Sequence, residues 1–347
     1  MQVAAIGSLN IHLQKVEVID EVGARFARYD GGSRRIRCPP MPTAVLPRIH
    51  RASNVSDAVP HRIVHAGINA VRVHSIYRSV LNITTADGLL TVASPEAGGL
   101  PNGILADLGP DWRTIGLEPG MIVHASDASI GVPDAGLEIQ LDAAPRWSPR
   151  FQLSDEATTL AMACWRRRTS ATWTIARTRA TAGGFGPLLR EDTVYDDPFG
   201  MVGVARPIVA ELIVALETGD RSAAAEVAAR LIGLGSGLTP SGDDALVGIE
   251  AALHALGSPS AGFLALALAN IEDRTTALAA TLLRHAAAGQ FAERLHTLVA
   301  ALLGSEEETI VTALDRAAAW GATSGTDCLL GVLIGLDVAA GVPGKLP

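Results

Sequence analysis

Lysine is almost absent from this chain of 347 residues. Of its 28 basic residues only Lys15 and Lys345 are lysines, and the others are arginines. A phosphate-binding P-loop needs a lysine directly after its last glycine, whereas the main glycine-rich motif here continues from Gly242 to Asp243. Any anion site in this protein is therefore expected to use arginine side chains or backbone N–H groups.

Other features are scarce too, and each shortage excludes a class of protein. The three cysteines lie far apart without a C-x-x-C motif, which argues against a disulfide framework or a zinc knuckle and fits a reducing compartment. The net charge is −8 with no basic stripe, which argues against nucleic-acid binding. The longest apolar pattern, Cys328–Val342, contains Asp337 and several glycines and is too short to span a membrane. No basic region precedes the short apolar stretch at the N-terminus, so no signal peptide is predicted and the cytoplasm is the expected location.

The chain changes character near residue 150, which predicts an α+β protein with two domains. Residues 1–150 are expected to form a β-rich domain, because short β-branched runs alternate there with Pro and Gly turns. Residues 151–347 are expected to form a helical domain, because Ala and Leu recur there at helical spacing. The predicted strands are Ile11–Ile19, Val71–Thr84, Leu89–Ala93, Met121–His124 and Leu137–Leu141. The predicted helices are Asp155–Arg168, Pro207–Thr218, Arg221–Ile232, Asp243–Leu256, Ser260–Leu268, Thr275–Ala288, Phe291–Leu303, Ser305–Trp320 and Asp327–Ala339. A ligand site is expected where the two domains meet.

One glycine-rich motif, G-L-G-S-G-L-T-P-S-G-D-D-A-L-V-G from Gly233 to Gly248, is the most informative part of the sequence. It lies between two helical patterns and combines glycines, hydroxyl residues and a pair of aspartates. Glycine allows a ligand to approach the backbone closely, and a helix N-terminus offers N–H groups and a positive dipole end to an anion. The motif therefore indicates a small-molecule site. The alternative is purely structural: Ser241 and Asp244 have the spacing of a capping box, and Gly248 would allow another helix to pack closely.

A second copy of the motif favours the ligand-binding interpretation. S-G-D-D-A-L-V-G from Ser241 and S-G-T-D-C-L-L-G from Ser324 share the pattern S-G-x-D-x-L-x-G, and both follow a threonine closely. Both copies are expected to begin a helix. Two such helix starts indicate a pair of helix N-termini that face one another or a shared ligand, although an old duplication kept for packing would leave the same pattern.

These motifs resemble the AllH-like family, the third subunit of oxamate carbamoyltransferase in bacterial allantoin breakdown. Besides the central motif, V-H-S-I-Y-R-S-V-L-N-I from Val73, R-T-T-A-L-A-A-T-L-L-R-H-A-A-A-G-Q-F from Arg274 and G-A-T-S-G-T-D-C-L-L-G from Gly321 are similar to motifs of that family. The resemblance implies a reversible transfer of a carbamoyl group between oxalurate and phosphate, giving oxamate and carbamoyl phosphate. It also implies a hetero-oligomer with two other subunits. The S-T-R-T motif of aspartate and ornithine carbamoyltransferases does not occur here, so no mechanism carries over from those enzymes.

The implied substrates are anions, which sets a requirement on the site. A helix N-terminus contributes about 0.3–1 kcal/mol to anion binding, whereas millimolar to micromolar affinity needs roughly 4–8 kcal/mol. Arginines must therefore take part, and Arg78 and Arg274 are the candidates by resemblance and context. Backbone N–H groups of Gly235 to Gly237 or Ser241 to Asp243 could form the hole for a tetrahedral oxyanion.

The candidate catalytic groups are the carboxylate of Asp243 and the hydroxyls of Thr239 and Ser241. Asp243 would accept a hydrogen bond from the substrate amide or act as its general base; the alternative is that it holds a Mg²⁺ ion that bridges to phosphate, although the sequence requires no cofactor. His61 and His65 do not predict a zinc pair, because their segment has no helical pattern. The candidate substrate-binding residues are Gly235, Ser236, Gly237, Gly242, Asp244, Thr323, Ser324, Gly325, Asp327, His74, Ser75, Arg78 and Arg274.

Two functional hypotheses follow. In the first, the chain is a catalytic subunit of an oxamate-type carbamoyltransferase that takes carbamoyl phosphate, oxamate or oxalurate, and phosphate. In the second, it is a non-catalytic anion-binding or scaffold subunit whose partners perform the chemistry.

Overall fold

Within the described part of the N-terminal half, nine strands form one curled sheet. The computed structural model describes residues 48–59, 71–190, 200–304 and 307–343; the predicted strand Ile11–Ile19, His61 and His65 lie outside them. The strands are β1 (Arg48–Ser56), β2 (Arg72–Ile76), β3 (Val80–Thr85), β4 (Gly88–Ala93), β5 (Gly103–Ala106), β6 (His124–Ala125), β7 (Ser129–Val132), β8 (Leu137–Gln140) and β9 (Arg146–Trp147). Their order is β2-β3-β4-β5-β1-β8-β7-β6, and β9 pairs with β1. Hydrogen bonds between β2 and the segment just before β6, such as the Val73 N–H to the Met121 carbonyl at 2.9 Å, curl the sheet back on itself.

Strands β2 and β3 form a hairpin, so the single strand predicted over Val71–Thr84 is wrong. The chain reverses at Tyr77–Ser79, and Ser75 then pairs with Asn82. Apolar residues occur both before and after this turn in the sequence. The hydrophobic periodicity alone therefore did not indicate that the chain reverses here.

Side chains of the central strands point alternately to the two faces of the sheet, because successive residues of a strand face opposite sides. Leu81 and Ile83 of β3 and Leu90 and Val92 of β4 are buried in the core of the sheet itself. Among the alternate residues, Asn82 and Thr91 are also buried, and they belong to the face against which the helices pack. The Leu89 N–H donates to the Thr281 hydroxyl at 3.1 Å, which joins β4 to a helix.

Helices occupy the C-terminal half, and the predicted α+β class is confirmed. They are α1 (Asp155–Arg179), α2 (Gly186–Arg190), α3 (Met201–Glu217), α4 (Arg221–Ala229), α5 (Ser241–Ala255), α6 (Ala277–Ala287), α7 (Glu293–Leu303), α8 (Glu307–Ala318) and α9 (Ser324–Ala340). Sheet and helices lie within one compact unit, Val45–Pro347; the division into two domains at residue 150 stays a prediction. Among the described helices, none combines the length and the apolar character needed to cross a membrane.

The helix predicted over Ser260–Leu268 is wrong, because this segment forms only a short 3-10 turn, Phe263–Leu266. Gly262 precedes the turn with a φ of 76°, which an α-helix does not accommodate. The buried carboxylate of Glu250 accepts the N–H groups of Gly262 at 2.7 Å and Leu264 at 2.9 Å, which holds the chain in this tight turn.

Helices α5 and α9 cross in contact at the centre of the helical half. A Cβ on Gly248 would lie 2.2 Å from the carbonyl oxygen of Cys328, and a Cβ on Gly331 would lie 2.0 Å from that of Ala245. Glycine is therefore required at both positions, because no other residue lets the backbones approach so closely. Ala245 and Cys328 occupy the same place in the two sequence copies, so the crossing has a local two-fold relation.

Candidate functional site

Both motif copies begin a helix, as predicted, but neither uses a capping box. The residues that precede α5 and α9 are Pro240 and Thr323, and neither helix has a side-chain hydrogen bond at its cap. The structural explanation for Ser241 and Asp244 as a reciprocal cap is therefore wrong. Backbone N–H groups in the first turn of α5 donate to carbonyls of the loop instead. The Gly242 N–H donates to the Leu234 carbonyl at 2.8 Å, and the Asp243 N–H donates to the Pro240 carbonyl at 3.0 Å. These two N–H groups are thus already bonded within the chain.

Tight folding of the loop onto itself explains most of its glycines. Gly235 has a φ of 129°, and a Cβ there would lie 2.5 Å from the Ser241 nitrogen. A Cβ on Gly242 would lie 2.0 Å from the Leu231 carbonyl oxygen. At Gly237 a Cβ would meet no described atom within 4 Å, and Ser236, Gly237 and Leu238 are exposed. The proposed contact of Gly235, Ser236 and Gly237 with substrate stays a prediction.

The two copies come together so that each aspartate lies beside the serine that begins the other helix. Burial raises the pKa of Asp244 to about 7, and the hydroxyls of Ser324 and Thr239 act against that rise. Burial likewise raises the pKa of Asp327 to about 6, opposed by the Phe185 N–H and the hydroxyls of Ser241 and Thr323. The Thr239 and Ser324 hydroxyls also bond to each other at 2.9 Å. The motif therefore builds a small crossed polar cluster at the start of both helices.

The surroundings of the two aspartates are not equivalent. Asp327 is covered by the chain, because its Oδ1 accepts the Phe185 N–H at 2.6 Å. A Cβ on the neighbouring Gly184 would lie 2.6 Å from Oδ2 of Asp327. Asp244 instead lines a cavity. Oδ2 of both aspartates has no hydrogen-bond partner among the described residues. Of the two related carboxylates, Asp244 is the one that lines this cavity.

This cavity of about 520 Å³ lies between the sheet and the helices. Its walls come from the loop before α5, from α5, α6, α7 and α9, and from β3, β4 and the segment before β5. Most of the lining is apolar. The polar and charged lining residues are Tyr77, Asn82, Thr91, Asn102, Thr239, Asp244, Gln290 and Arg294. A volume of this size suits a small molecule.

The sheet contributes a chain of buried polar side chains to the cavity. Thr91 donates to Asn82 at 2.9 Å, and Asn102 donates to Thr91 at 3.0 Å and to the Leu89 carbonyl at 2.9 Å. Asn82 in turn donates to the Ser75 hydroxyl at 3.1 Å. Oδ1 of Asn102 has no partner among the described residues, although Asn102 is only 4% exposed. An unsatisfied buried acceptor costs free energy.

Arg294 of α7 is the arginine that lines the cavity. Its guanidinium lies 5.0 Å from the centre of the Trp320 ring, and its positive charge lowers the pKa of Asp244. Arg294 also borders a second cavity of about 830 Å³, which α7, α8 and residues 95–98 enclose. That cavity contains no residue of the two S-G-x-D copies. We therefore take the first cavity as the candidate site and Arg294 as its cation.

The candidate catalytic aspartate from the sequence, Asp243, does not line the cavity. It is 1% exposed, and its carboxylate accepts the Gly233 N–H at 2.9 Å and the Thr275 hydroxyl. Burial raises its pKa, and Thr275, Gly233 and Arg274 oppose that rise. In this position Asp243 holds the glycine-rich loop against the start of α6. Both the general-base role and the Mg²⁺ alternative stay predictions; no group of three His, Cys, Asp or Glu side chains suited to a metal occurs within the described ranges.

The other residues chosen on the N-terminal and α6 motifs also lie outside the lining. Arg274 donates to the carbonyls of Ala267 and Ala229, and Arg78 is exposed in the β2–β3 turn. His74 is exposed on β2 and bonds to the Ser75 hydroxyl at 3.0 Å. Ser75 is one hydrogen bond away from the cavity through Asn82. Their roles in substrate binding stay predictions without support from this geometry.

Several lining residues were not selected from the sequence, and Asn82, Asn102 and Arg294 are among them. Asn82 lies inside the motif V-H-S-I-Y-R-S-V-L-N-I, where a polar residue in an apolar strand was a usable signal. Asn102 and Arg294 belong to no quoted motif. Their proximity to Asp244 depends on how the sheet docks on the helices, which no local pattern encodes.

Comparison with known protein families gives two matches along the chain. The model described as "Oxamate carbamoyltransferase subunit AllH" matches residues 231–336. The model described as "AllH family N-terminal domain" matches residues 51–146. The first match covers both S-G-x-D copies, and the second covers most of the curled sheet. No solved structure matches the chain.

Proposed function

We propose, on the premise that this chain belongs to the AllH family, that it provides a substrate site of an oxamate carbamoyltransferase. The reaction would be the reversible conversion of oxalurate and phosphate into oxamate and carbamoyl phosphate. The site would be the cavity between the sheet and the helices. The observation that carries this proposal is Asp244, a buried carboxylate that lines the same cavity as the cation Arg294.

The chemistry needs a group that moves one proton at the amide nitrogen. In the phosphate-dependent direction a phosphate oxygen forms a bond to the carbamoyl carbon of oxalurate, and the bond from that carbon to the inner nitrogen breaks. The nitrogen then gains a proton and leaves as the amide of oxamate, while the attacking phosphate loses one. A general acid–base works best when its pKa is near the working pH, and burial raises the pKa of Asp244 to about 7.

Asp244 would therefore give its proton to the leaving nitrogen and recover one from the phosphate hydroxyl. In the opposite direction it would accept the proton of the oxamate amide as carbamoyl phosphate is attacked. This assigns to Asp244 the role that the sequence alone gave to its neighbour Asp243. The Thr239 and Ser324 hydroxyls, which act on the Asp244 carboxylate, would hold it in place.

Arg294 would bind the anionic end of the substrates. Its charge lies close enough to lower the pKa of Asp244, and no ion pair to it is present among the residues that the structure describes. Trp320 supports the guanidinium from one side. An arginine in this position offsets the repulsion between a carboxylate and an incoming anion.

Formation of carbamoyl phosphate from oxalurate and phosphate tests this proposal, first with the chain alone and then with its presumed partner subunits. The proposal expects activity in the assembled complex and a KM for the anionic substrates raised about 10- to 100-fold in Arg294→Gln, because a hydrogen bond to a charged group is lost. Arg230→Gln is the matched control, since Arg230 forms a surface ion pair with Glu211 outside the cavity.

Binding of oxamate without turnover in any combination of subunits would favour the second hypothesis, a non-catalytic binding or scaffold subunit. Turnover in the complex with an unchanged KM in Arg294→Gln would show that the anion binds at a different place.

A further inference from the structure

The candidate cavity is larger and more apolar than oxamate requires. Its volume of about 520 Å³ lies in the range of about 300–1,000 Å³ that suits drug-sized ligands, whereas oxamate has only two carbon atoms. Apolar side chains from the sheet side and from α5, α6 and α7 form most of the lining: Val80, Leu100, Val247, Leu278, Leu282 and Leu295. A ligand that fills this cavity therefore has an apolar body.

Three of these apolar side chains are incompletely covered by the protein. Val247, Leu278 and Leu282 are only half-buried, and all three line the cavity. Leu278 and Leu282 are four residues apart on α6, so they lie next to each other on one face of that helix. Removal of apolar surface from water is favourable, and these side chains would therefore contribute binding free energy to an apolar ligand.

The polar side chains of the lining are bonded mainly within the protein. Those contributed by the sheet bond to one another and to the Leu89 carbonyl. The Thr239 hydroxyl bonds to that of Ser324 at 2.9 Å, and Gln290 bonds to the ring of His285 at 2.7 Å. Because these groups already have partners, the surface that the cavity offers to a ligand is mainly apolar.

The cation of the cavity lies at its opening. Arg294, Tyr77 and Leu238 line the cavity and are also exposed, so they border the opening. Arg294 has no carboxylate partner within the described ranges, and its guanidinium lies against the Trp320 ring. A cation at the opening of an apolar cavity suits a ligand with an anionic head group, because the charge is neutralised at the solvent boundary while the apolar body leaves water.

We propose that this cavity binds organic acids with an apolar body, which lies between the sheet and the helices, while the acid group lies beside Arg294. The inference goes beyond the proposed function, because neither oxamate nor phosphate has an apolar part. It rests on the volume of the cavity, on its lining and on the position of Arg294.

Straight-chain carboxylates of increasing length test this inference. Binding of butanoate, hexanoate and octanoate to the full chain, alone and in the assembled complex, would be measured by calorimetry. We expect the affinity to rise about two- to fourfold for each added methylene group. Hexanoate should also bind about tenfold more tightly than hexanamide, which has nearly the same shape but no charge. These measurements need no variant and so do not depend on any substitution being tolerated.

Variants then assign the binding to this cavity. Val247→Phe enlarges a lining side chain, so it should weaken octanoate binding about tenfold or more and affect butanoate much less. Val214→Phe is the matched control, because Val214 is 59% exposed on α3 and does not line the cavity. Arg294→Gln should remove the preference for hexanoate over hexanamide.

Four results would overturn the inference. They are an affinity that does not increase with chain length, no binding of octanoate up to about 10 mM, equal binding of hexanoate and hexanamide, and octanoate binding that Val247→Phe leaves unchanged. Binding by the chain alone that disappears in the assembled complex would also overturn it, because a segment of a partner subunit would then occupy the cavity.

The outcomes also separate the inference from the proposed function. Chain-length-dependent binding that requires Arg294, with no carbamoyl transfer in any complex, would retain the inference and remove the proposed reaction. Carbamoyl transfer by a complex whose affinity for carboxylates does not depend on chain length would do the reverse.

Discussion

Replacing Gly248 by alanine should destabilise the protein through a single contact. A Cβ at this position would lie 2.2 Å from the Cys328 carbonyl oxygen and 3.0 Å from the Val332 nitrogen, whereas non-bonded atoms attract best at about 3.5–4.0 Å. Both neighbours are backbone atoms of α9, so no side chain can turn away. The two helices would have to separate by more than about 1 Å at the centre of the helical core.

The expected cost is that of an overpacked core, about 1–3 kcal/mol. For a chain of this size each kcal/mol lowers the Tm by about 1–2 °C, so Gly248→Ala should lower the Tm by about 1–5 °C in a thermal unfolding experiment. Gly331→Ala should lose a similar amount, because its Cβ would lie 2.0 Å from the Ala245 carbonyl oxygen in the related contact.

Gly203→Ala is the matched control. Gly203 lies in helix α3, and a Cβ there would meet no described atom within 4 Å. The same substitution should therefore raise stability by about 0.5–1 kcal/mol, as alanine does in an open helix position. If Gly248→Ala matched Gly203→Ala in the sign of its Tm change, the argument from close backbone contact between α5 and α9 would be refuted.

Three further predictions concern the charged groups. First, the Tm should rise as the pH falls from about 8 to 6.5, because burial raises the pKa of Asp244 and of Glu250 to about 7; a group whose pKa is raised by folding adds stability below its folded pKa and loses it above. Asp244→Asn should make the Tm depend less steeply on pH. A Tm that falls as the pH falls over the same interval would contradict the raised pKa values of the two carboxyl groups. The interval ends at about pH 6.5, because below it His254, whose pKa burial lowers, begins to change the stability in the opposite direction. Second, Asp243→Asn should cost about 1–3 kcal/mol of stability, because one of its two accepted hydrogen bonds is lost; lost turnover at an unchanged Tm would instead support the catalytic role that the sequence predicted. Third, in an active complex Asp244→Asn should lower kcat about 10²–10⁴-fold, as expected when a general acid–base is removed, and steady-state kinetics with near-normal kcat would remove Asp244 from the proton transfer.

The sequence predicted the parts of the site that depend on local pattern. Both S-G-x-D segments begin helices, because a glycine- and proline-containing loop runs there into an apolar helical period. The duplication correctly indicated that the copies lie together, since Gly248 and Gly331 are the residues that let α5 and α9 meet.

The choice between Asp243 and Asp244 could not be made from the sequence. Successive residues of an α-helix point about 100° apart, so one carboxylate faces the loop and α6 while the other faces the cavity. Which of them does so depends on the rotation of α5, and this is fixed by its contact with α9.

No local sequence pattern could predict which residues of the sheet line the cavity. Asn102 and Arg294 are 192 residues apart in the sequence, and they line one cavity only because the sheet docks on α6 and α7. The Leu89–Thr281 and Gly99–Glu293 hydrogen bonds hold this docking. Long-range contacts of this kind leave no periodic signal in a single sequence.

The central claim is that the cavity between the sheet and the α5–α9 pair holds the substrate, with Asp244 on its amide. Crystals of the chain grown with oxamate would test this most directly. We expect oxamate in that cavity, with its amide nitrogen within hydrogen-bond distance of Asp244 Oδ2 and its carboxylate towards Arg294. Oxamate bound at the loop residues 235–237, at Arg274 or in the second cavity beside α8, with the Asp244 cavity empty, would contradict the account.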